Sequence, residues 1–578
     1  MKRTELLSRL WEFQNNYGYI SDKAIAEIAR KLNVSKIEIE GVVSFYHFLH
    51  IQPTGKHIIY LNNSIVSEFK GFSKVKAAFE KETGCTFGAY NKDPLFSIFE
   101  TSCIGLSDQE PAALIDFYPF TDLTPEKVKL IIQQLKSGIH PEEIANNPKS
   151  KIQYTPIEEK TVFFRDYKLG NSLKKLKTHN ANLILNEINA AQLDGQGGAF
   201  FSTSLKWKYC KENSSKTKYV ICDADEGEPG TFKDKSLLNN LPGLVIEGMI
   251  IAAYVTGAKK GFIYLRAEYK YLLKKIESTL EAFEQKGLLG KQILGIDNFN
   301  FKIKVILGAG AYVCGAETAL IESMEGKRGE PRIRKYFPTD FGYLGKSTIV
   351  NNVETFAKAA RVIELGSKFI TSIGTKKSKG TKLLSVSGDV AKPGIYEIEW
   401  GMTVNELLEL CQATSPHYVQ ISGPSGICIN NADFNRKICK EDLICGGSVM
   451  VFNNFRSITR IIENFIKFFK EESCGTCTPC RAGNQILHEK IKKIKSGICT
   501  TKDLNDIKEW GKIMQLTSRC GLGQFSANTF IEAIDKFEDY FNLKVAKCDD
   551  NCKIEFDMQG AVYDYDSLIK NTQLKHIE

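Results

Sequence analysis

A chain of 578 residues is too long for a single hydrophobic core, and roughly three to five domains are the natural division. Hydrophobic content of 43% and charged content of 25% are ordinary for a globular protein, which excludes disordered and fibrous classes. The formal charge of +9, from 77 basic and 68 acidic side chains, is too mild at this length to argue for nucleic acid.

Residues 1–50 are helical by periodicity, with Ser21 placed to cap "SDKAIAEIARKLN" and Ser35 preceding "KIEIEGVVSFYHFL". The pair around "KLNVSK" resembles a helix-turn-helix, but no basic recognition face follows, so no nucleic-acid partner is expected. A strand "HIIYLNNSIV", a helix "FSKVKAAFEKETG" and a strand "LFSIFETSC" complete a small α/β domain over 1–147. Residues 148–185 are polar and Lys-rich and read as a linker. Strand and helix then alternate over 186–378, with Gly-rich loops after the strands, as in an α/β domain. Its most apolar stretch, "LPGLVIEGMIIAAYVTG", contains Glu247 and is too short and too polar to span a bilayer. Residues 379–455 open with a hairpin and a helix, "KLLSVSGDVAKPGIYEIEWGMTVNELLELC", the pattern of a β-grasp-like module. Residues 456–545 are helical, with Ile461, Phe465 and Phe468 on one face, and 546–578 form a polar tail. The opening "MKRTELLSRLWEF" lacks an apolar export signal, so a cytoplasmic location without a direct membrane span is expected.

There are sixteen cysteines, and in a protein that is not exported clustered ones read as metal ligands rather than disulfides. "ESCGTCTPC" sets Cys474, Cys477 and Cys480 at i, i+3 and i+6. Zinc sites favour separated C-x-x-C pairs, whereas C-x-x-C-x-x-C is a run used by iron–sulfur clusters with one remote ligand. Asn484 stands where a near fourth ligand would be, leaving Cys499 and Cys520 as candidates.

Three loops carry a second set of signals. "LDGQGGAFFSTSLKW" (193–207) offers backbone N–H groups for a phosphate or a flat ring, with Lys206 as a counter-charge; alone it could be an ordinary turn. "CDADEGEPGTFKDK" (222–235) gathers Asp223, Asp225, Glu226 and Glu228. A solvated acidic turn is the plain reading, but carboxylates also accept from ribose hydroxyls and repel a 2′-phosphate, so NADH over NADPH is expected. "GAGAYVCGAETALIESMEGKRGEPRIRKYFP" (308–338) fails G-x-G-x-x-G at Val313, which rejects a standard Rossmann fingerprint.

"ESCGTCTPCRAG" with the later "SRCGLG" resembles the flavoprotein subunit of NADH dehydrogenases, including the NADH-oxidising subunit of respiratory complex I, over roughly residues 160–545. The resemblance implies Cys520 as fourth ligand of a [4Fe–4S] cluster with Cys474, Cys477 and Cys480. It implies FMN at Gly195, Gly197, Gly198, Lys206, Asp225, Asn351 and Asn352, the last two in "TIVNNVET". It implies NAD(H) at Phe201, Tyr209, Glu228, Tyr312, Glu317 and Phe337. Three positions depart from the family: Gln196 replaces an Arg and removes a cationic contact, Phe200 replaces a Gly and narrows the backbone approach, and Ala316 replaces a Glu of the nucleotide site. No general base or covalent nucleophile is implied; the protein's part is stacking, orientation and exclusion of water.

Residues 1–147 are similar to the thioredoxin-like [2Fe–2S] subunit that partners this flavoprotein, here joined to it in one chain. Its ligands would fall at Asn62, Ser67, Cys103 and Ser107; with only Cys103 retained, a structural or docking remnant is expected. The fusion resembles diaphorase subunits of soluble NAD-reducing hydrogenases and NAD-dependent formate dehydrogenases. It implies an NADH-oxidising or NAD⁺-reducing subunit that exchanges electrons with other iron–sulfur subunits, with a hydrogenase as the preferred complex. A complex I-type quinone reductase and a degenerate, non-catalytic scaffold are the alternatives. Cys548 and Cys552 are read as free thiols of the tail.

Overall fold

The computed structural model describes residues 1–90, 93–333 and 335–546; Cys548, Cys552 and all but the first residue of the polar tail lie outside the described residues. The chain is mixed α/β and builds three sheets and a helical region.

Short β-rich runs near the N-terminus pair as a four-stranded sheet in the order Phe96–Thr101, His57–Asn62, Ala113–Ile115, Tyr118–Phe120. The first pair is parallel and the rest antiparallel. Helices Phe72–Thr83 and Pro125–Lys136 cover it through Val75, Phe79, Val128 and Leu135, giving a thioredoxin-like layer. Ser21 and Ser35 cap their helices as the sequence predicts, accepting from the Ala24 N–H at 3.2 Å and the Glu38 N–H at 3.3 Å. These helices do not form a free recognition surface. Leu10, Ile25 and Val43 share a core with Tyr264, Leu320 and Met324 of the central domain, and Trp11 Nε1 donates to the Gly308 carbonyl at 3.0 Å.

The central sheet is wholly parallel, in the order Lys302–Leu307, Lys260–Leu265, Tyr219–Ala224, Thr348–Asn352. Strand order reverses beside Tyr219–Ala224, and the carboxyl ends of its strands are where a parallel α/β sheet opens a ligand crevice. The acidic turn, the 308–316 loop and Asn352 all sit at that edge. Among the described residues no single helix is long and apolar enough to cross a membrane. The apolar helix Pro242–Thr256 is a buried core element, bent by 96° from Lys233–Asn240.

The third sheet runs Ile427–Ile429, Pro416–Ile421, Ser448–Asn453, Thr381–Gly388, Gly394–Glu399, Ile152–Tyr154. Its last strand corrects the linker expected over 148–185: Ile152–Tyr154 pairs in parallel with Gly394–Glu399, and Val162 and Phe163 are fully buried. The reason is two buried carboxylates from elsewhere. Glu397 accepts the N–H groups of Val162, Phe163 and Phe164 at 2.6, 2.9 and 3.1 Å. Glu247 accepts from the Tyr167 hydroxyl at 2.6 Å and the Gly170 N–H at 2.7 Å. A largely polar segment thus packs through a few apolar side chains, Val162, Phe163, Leu173 and Leu176, with its backbone N–H groups satisfied by remote carboxylates. Helices Ile458–Glu472, Thr478–Lys495, Thr501–Thr517 and Asn528–Lys536 form the helical region, with Ile461, Phe465, Leu487, Ile507 and Phe530 in their core.

Candidate functional site

Helix Ile458–Glu472 ends just before Cys474, and Gly475 takes a left-handed turn (φ 75°) that returns the chain. Cys477 then caps helix Thr478–Lys495, whose first turn holds Cys480. Cys520 arrives from the other side, ahead of Gly521–Phe525. All four cysteines line one cavity with Val313, Pro331, Arg519 and Leu522. Gly523 allows this approach, since a Cβ there would meet the Cys480 Cβ at 2.8 Å. Cys499 is excluded: it is buried in the helical core, its thiol directed to the Thr500 carbonyl at 3.4 Å.

Burial pushes the Cys480 thiol up to about 12, with Cys477, Cys520 and Cys474 adding to the effect, and burial also raises Cys520. Four adjacent thiolates therefore need cationic charge among them. Among the described residues no group of three ligating side chains converges on a single ion, whereas these four thiols share a cavity. That donor set fits a cluster with four corners.

The Gly-rich loop is closed on itself by the Gly195 N–H donating to the Phe201 carbonyl at 2.9 Å, and tied to the first turn of helix Val353–Leu365 by the Gln196 N–H donating to Thr355 Oγ1 at 2.8 Å. Gly197 lies against Asn352, where a Cβ would come within 3.2 Å of the Asn352 Cβ; Gly198, at φ 113°, faces open space. The two departures within this loop have physical answers. The Gln196 amide folds back on the Asp194 carbonyl at 2.8 Å and its Oε1 is buried without a partner. Phe200 adopts φ 50°, and its ring packs edge-on against Trp400 at 6.0 Å, in the β-grasp-like core. Beneath the loop lies a group that the motifs did not single out. Fully buried Glu354 takes Lys233 Nζ at 2.9 Å and Lys382 Nζ at 2.5 Å, and Lys382 also donates to the Gln196 carbonyl at 2.9 Å. Asn352 Nδ2 donates to Asp234 at 2.5 Å, and Asn351 Oδ1 accepts from Trp207 Nε1 at 2.9 Å. Lys206 pairs with Glu317 and donates to the Val350 carbonyl at 2.9 Å, so these two predicted residues meet.

The acidic turn is not a solvated surface. Burial raises Asp223 to about 8, Asp225 well above the carboxylate range, and Glu228 above its ordinary value. Asp225 Oδ2 is buried without a partner, an acceptor available to a ligand donor. Glu226 is structural, accepting the Asp234 and Lys235 N–H groups at 2.8 and 3.1 Å. The Tyr312 hydroxyl donates to Glu228, which also accepts the Ser425 N–H at 2.8 Å. Phe201, Tyr209 and Phe337 are 47%, 48% and 70% exposed, which places them at the surface rather than in the core. Tyr312, Val313 and Ala316 pack with Cys474, Cys477, Cys480 and Cys520, so the 308–316 loop and the cysteine cavity share a wall.

In the N-terminal domain Asn62, Ser67, Cys103 and Ser107 are all buried. Cys103 Sγ lies 3.4 Å from Ser107 Oγ; Asn62 donates to Glu110 and accepts the Ser64 N–H at 2.9 Å. With a single thiol, two hydroxyls and an amide already bonded to Glu110, this set does not fit a [2Fe–2S] cluster.

Three family models match the chain: a Nuo51 FMN-binding domain over residues 188–361, a thioredoxin-like [2Fe–2S] ferredoxin over 1–136, and an NADH-ubiquinone oxidoreductase-F iron–sulfur binding region over 460–544. The NAD-reducing hydrogenase HoxS subunit alpha of Cupriavidus necator is 45% identical, the match covering 99% of this chain and 97% of that one. An NADH-quinone oxidoreductase subunit of Rhizobium meliloti is 35% identical over 64% of this chain and 90% of its own. Among solved structures, a chain of an NAD⁺-reducing [NiFe]-hydrogenase in the H₂-reduced state superposes with a TM-score of 0.90 at 33% identity, covering 98% and 97% of the two chains.

Proposed function

The chain belongs to the family of flavoprotein subunits shared by NADH dehydrogenases and NAD-reducing hydrogenases, and on that footing we propose that it is the diaphorase subunit of a multi-subunit NAD-reducing hydrogenase. It is an oxidoreductase that binds FMN, NAD(H) and one [4Fe–4S] cluster. When bound, the flavin supplies two-electron exchange with a nicotinamide, and the cluster supplies a one-electron route to partner iron–sulfur subunits.

The chain's own residues divide the work. Gly195, Gly197 and Gly198 admit the flavin, Lys206, Asn351 and Asn352 serve its phosphate side, and Asp225 offers its unpartnered oxygen. Glu228, Tyr312 and Glu317 orient the nucleotide, while Phe201, Tyr209 and Phe337 cover it from water. Cys474, Cys477, Cys480 and Cys520 hold the cluster. The assignment divides the chain into a cluster-free docking domain over 1–147, a nucleotide domain over 186–378, a β-grasp-like domain over 379–455 and a cluster domain over 456–545, with a cytoplasmic location. The observation that carries this reading is the wall shared by the Tyr312 loop and the four cysteines. Anaerobically prepared, iron-replete protein should be yellow-brown and should reduce an artificial acceptor with NADH. A colourless, inactive preparation would contradict it.

A further inference from the structure

Glu472 closes helix Ile458–Glu472, two residues before Cys474, and none of the motifs gives it a role. Its carboxylate is half-buried, and its two oxygens serve two remote parts of the chain. Oε1 accepts from Ser102 Oγ at 2.9 Å, in the turn beside Cys103. Oε2 accepts the backbone N–H of Tyr312 at 2.9 Å. Tyr312 is held at its far end too, where its hydroxyl donates to Glu228, itself fixed by the Ser425 N–H. The Tyr312 ring stands edge-on to Phe468, one turn earlier on the same helix as Glu472, at 4.9 Å between centroids. The other side of the Ser102 turn is also anchored, since the Cys103 carbonyl accepts Arg266 Nη2 at 2.8 Å.

We propose that Glu472 is a positioning residue that sets the Tyr312 loop against the cysteine cavity and pins the thioredoxin-like domain to the same point. The proposal deepens the function given above and rests on it. A carboxylate is the one side chain of this size that can accept at both ends. Glutamine keeps the Tyr312 N–H only by turning its N–H₂ to the Ser102 hydroxyl, which must then accept, and it loses the charge; alanine leaves both groups unmet. A hydrogen bond to a charged group is stronger than a neutral one, so losing the one at Tyr312 lowers nucleotide affinity roughly tenfold. The removed negative charge also lies only two residues from a cluster ligand, and charge beside a cluster sets its potential.

The test compares the full-length wild type with E472A, E472Q and S102A, each loaded with flavin and cluster. In E472A the Tyr312 amide should exchange its hydrogen roughly tenfold faster. KM for NADH should rise roughly tenfold with kcat changed less than about twofold, and the cluster midpoint potential should move upward. E472Q should share the upward potential shift with a smaller change in KM. S102A should loosen amide exchange around residues 101–104 while leaving Tyr312 protected and the potential in place. Wild-type exchange at Tyr312 in E472A, or an E472A enzyme with unaltered KM and potential, overturns the proposal. A wild-type chain without flavin or sulfide would overturn the diaphorase reading instead, and the amide-exchange comparison would still decide the role of Glu472.

Discussion

Glu354→Gln is the most informative single change beneath the Gly-rich loop. Glu354 has no exposed surface, and burial pushes its carboxyl up, yet Lys233 and Lys382 together overcome this and hold it below the ordinary carboxylate value. Removing the charge leaves Lys382, also fully buried, with neutral acceptors alone, among them the Gln196 carbonyl at 2.9 Å, while Lys233 keeps Asp234 at 2.7 Å. Breaking a buried pair from one side costs about 3–5 kcal/mol, because the remaining charge stays desolvated. For a domain of this size each kcal/mol moves the melting point by about 2–4 °C, so the nucleotide domain should melt roughly 6–20 °C lower. Because Lys382 also holds the loop through Gln196, the same variant should release FMN more readily. Lys382→Met leaves Glu354 paired with Lys233 and should cost less. Differential scanning fluorimetry with flavin-release fluorescence reads both effects. An E354Q protein that melts within a degree of wild type and retains its FMN would mean that Glu354 does not hold Lys382 and the loop in place.

Other outcomes follow from the same contacts. Cys520→Ser should lose most of its iron and acid-labile sulfide, whereas Cys499→Ser, altered in the helical core, should retain both; colorimetric sulfide analysis distinguishes them. Phe200→Gly should change FMN affinity less than about threefold, because the ring is engaged with Trp400, not the loop; fluorimetric titration measures it. Burial raises the Glu110 carboxyl to about 8, against an unfolded value near 4.3, so the folded domain keeps a proton that the unfolded chain has lost across this window. Stability from this group is therefore full at low pH, falls by up to about 1.4 kcal/mol per pH unit as pH rises toward 8, and levels off above it. Glu110→Gln has no such proton to lose, and its melting temperature relative to wild type should rise from pH 5 to about 8 and then level off; a constant difference would contradict this assignment.

Features that announce themselves in sequence here are local. The C-x-x-C-x-x-C run and the Gly-rich loop need only neighbouring residues, so both are legible, and the same holds for the capping serines at 21 and 35. Cys520 could be separated from Cys499 only through family resemblance, because a ligand about forty residues away leaves no spacing rule. Lys382 and Glu472 were hidden for a stronger reason. Each acts across a domain boundary, on the Gln196 carbonyl and on Ser102 and Tyr312, and an isolated charged residue at a strand or helix end carries no periodic signal. The segment 148–185 misled through composition: its polar backbone is satisfied by Glu397 and Glu247, which lie far along the chain.

The most direct measurement is an anaerobic titration of the isolated, fully loaded protein with NADH, followed by absorbance and electron paramagnetic resonance. A flavin taking two electrons and a single [4Fe–4S] cluster taking one require about 1.5 NADH per chain. The expected result is that value, with one cluster signal that disappears in the Cys520→Ser variant. About two NADH per chain, revealing a further cluster in the thioredoxin-like domain, or about one with no cluster signal, would contradict it.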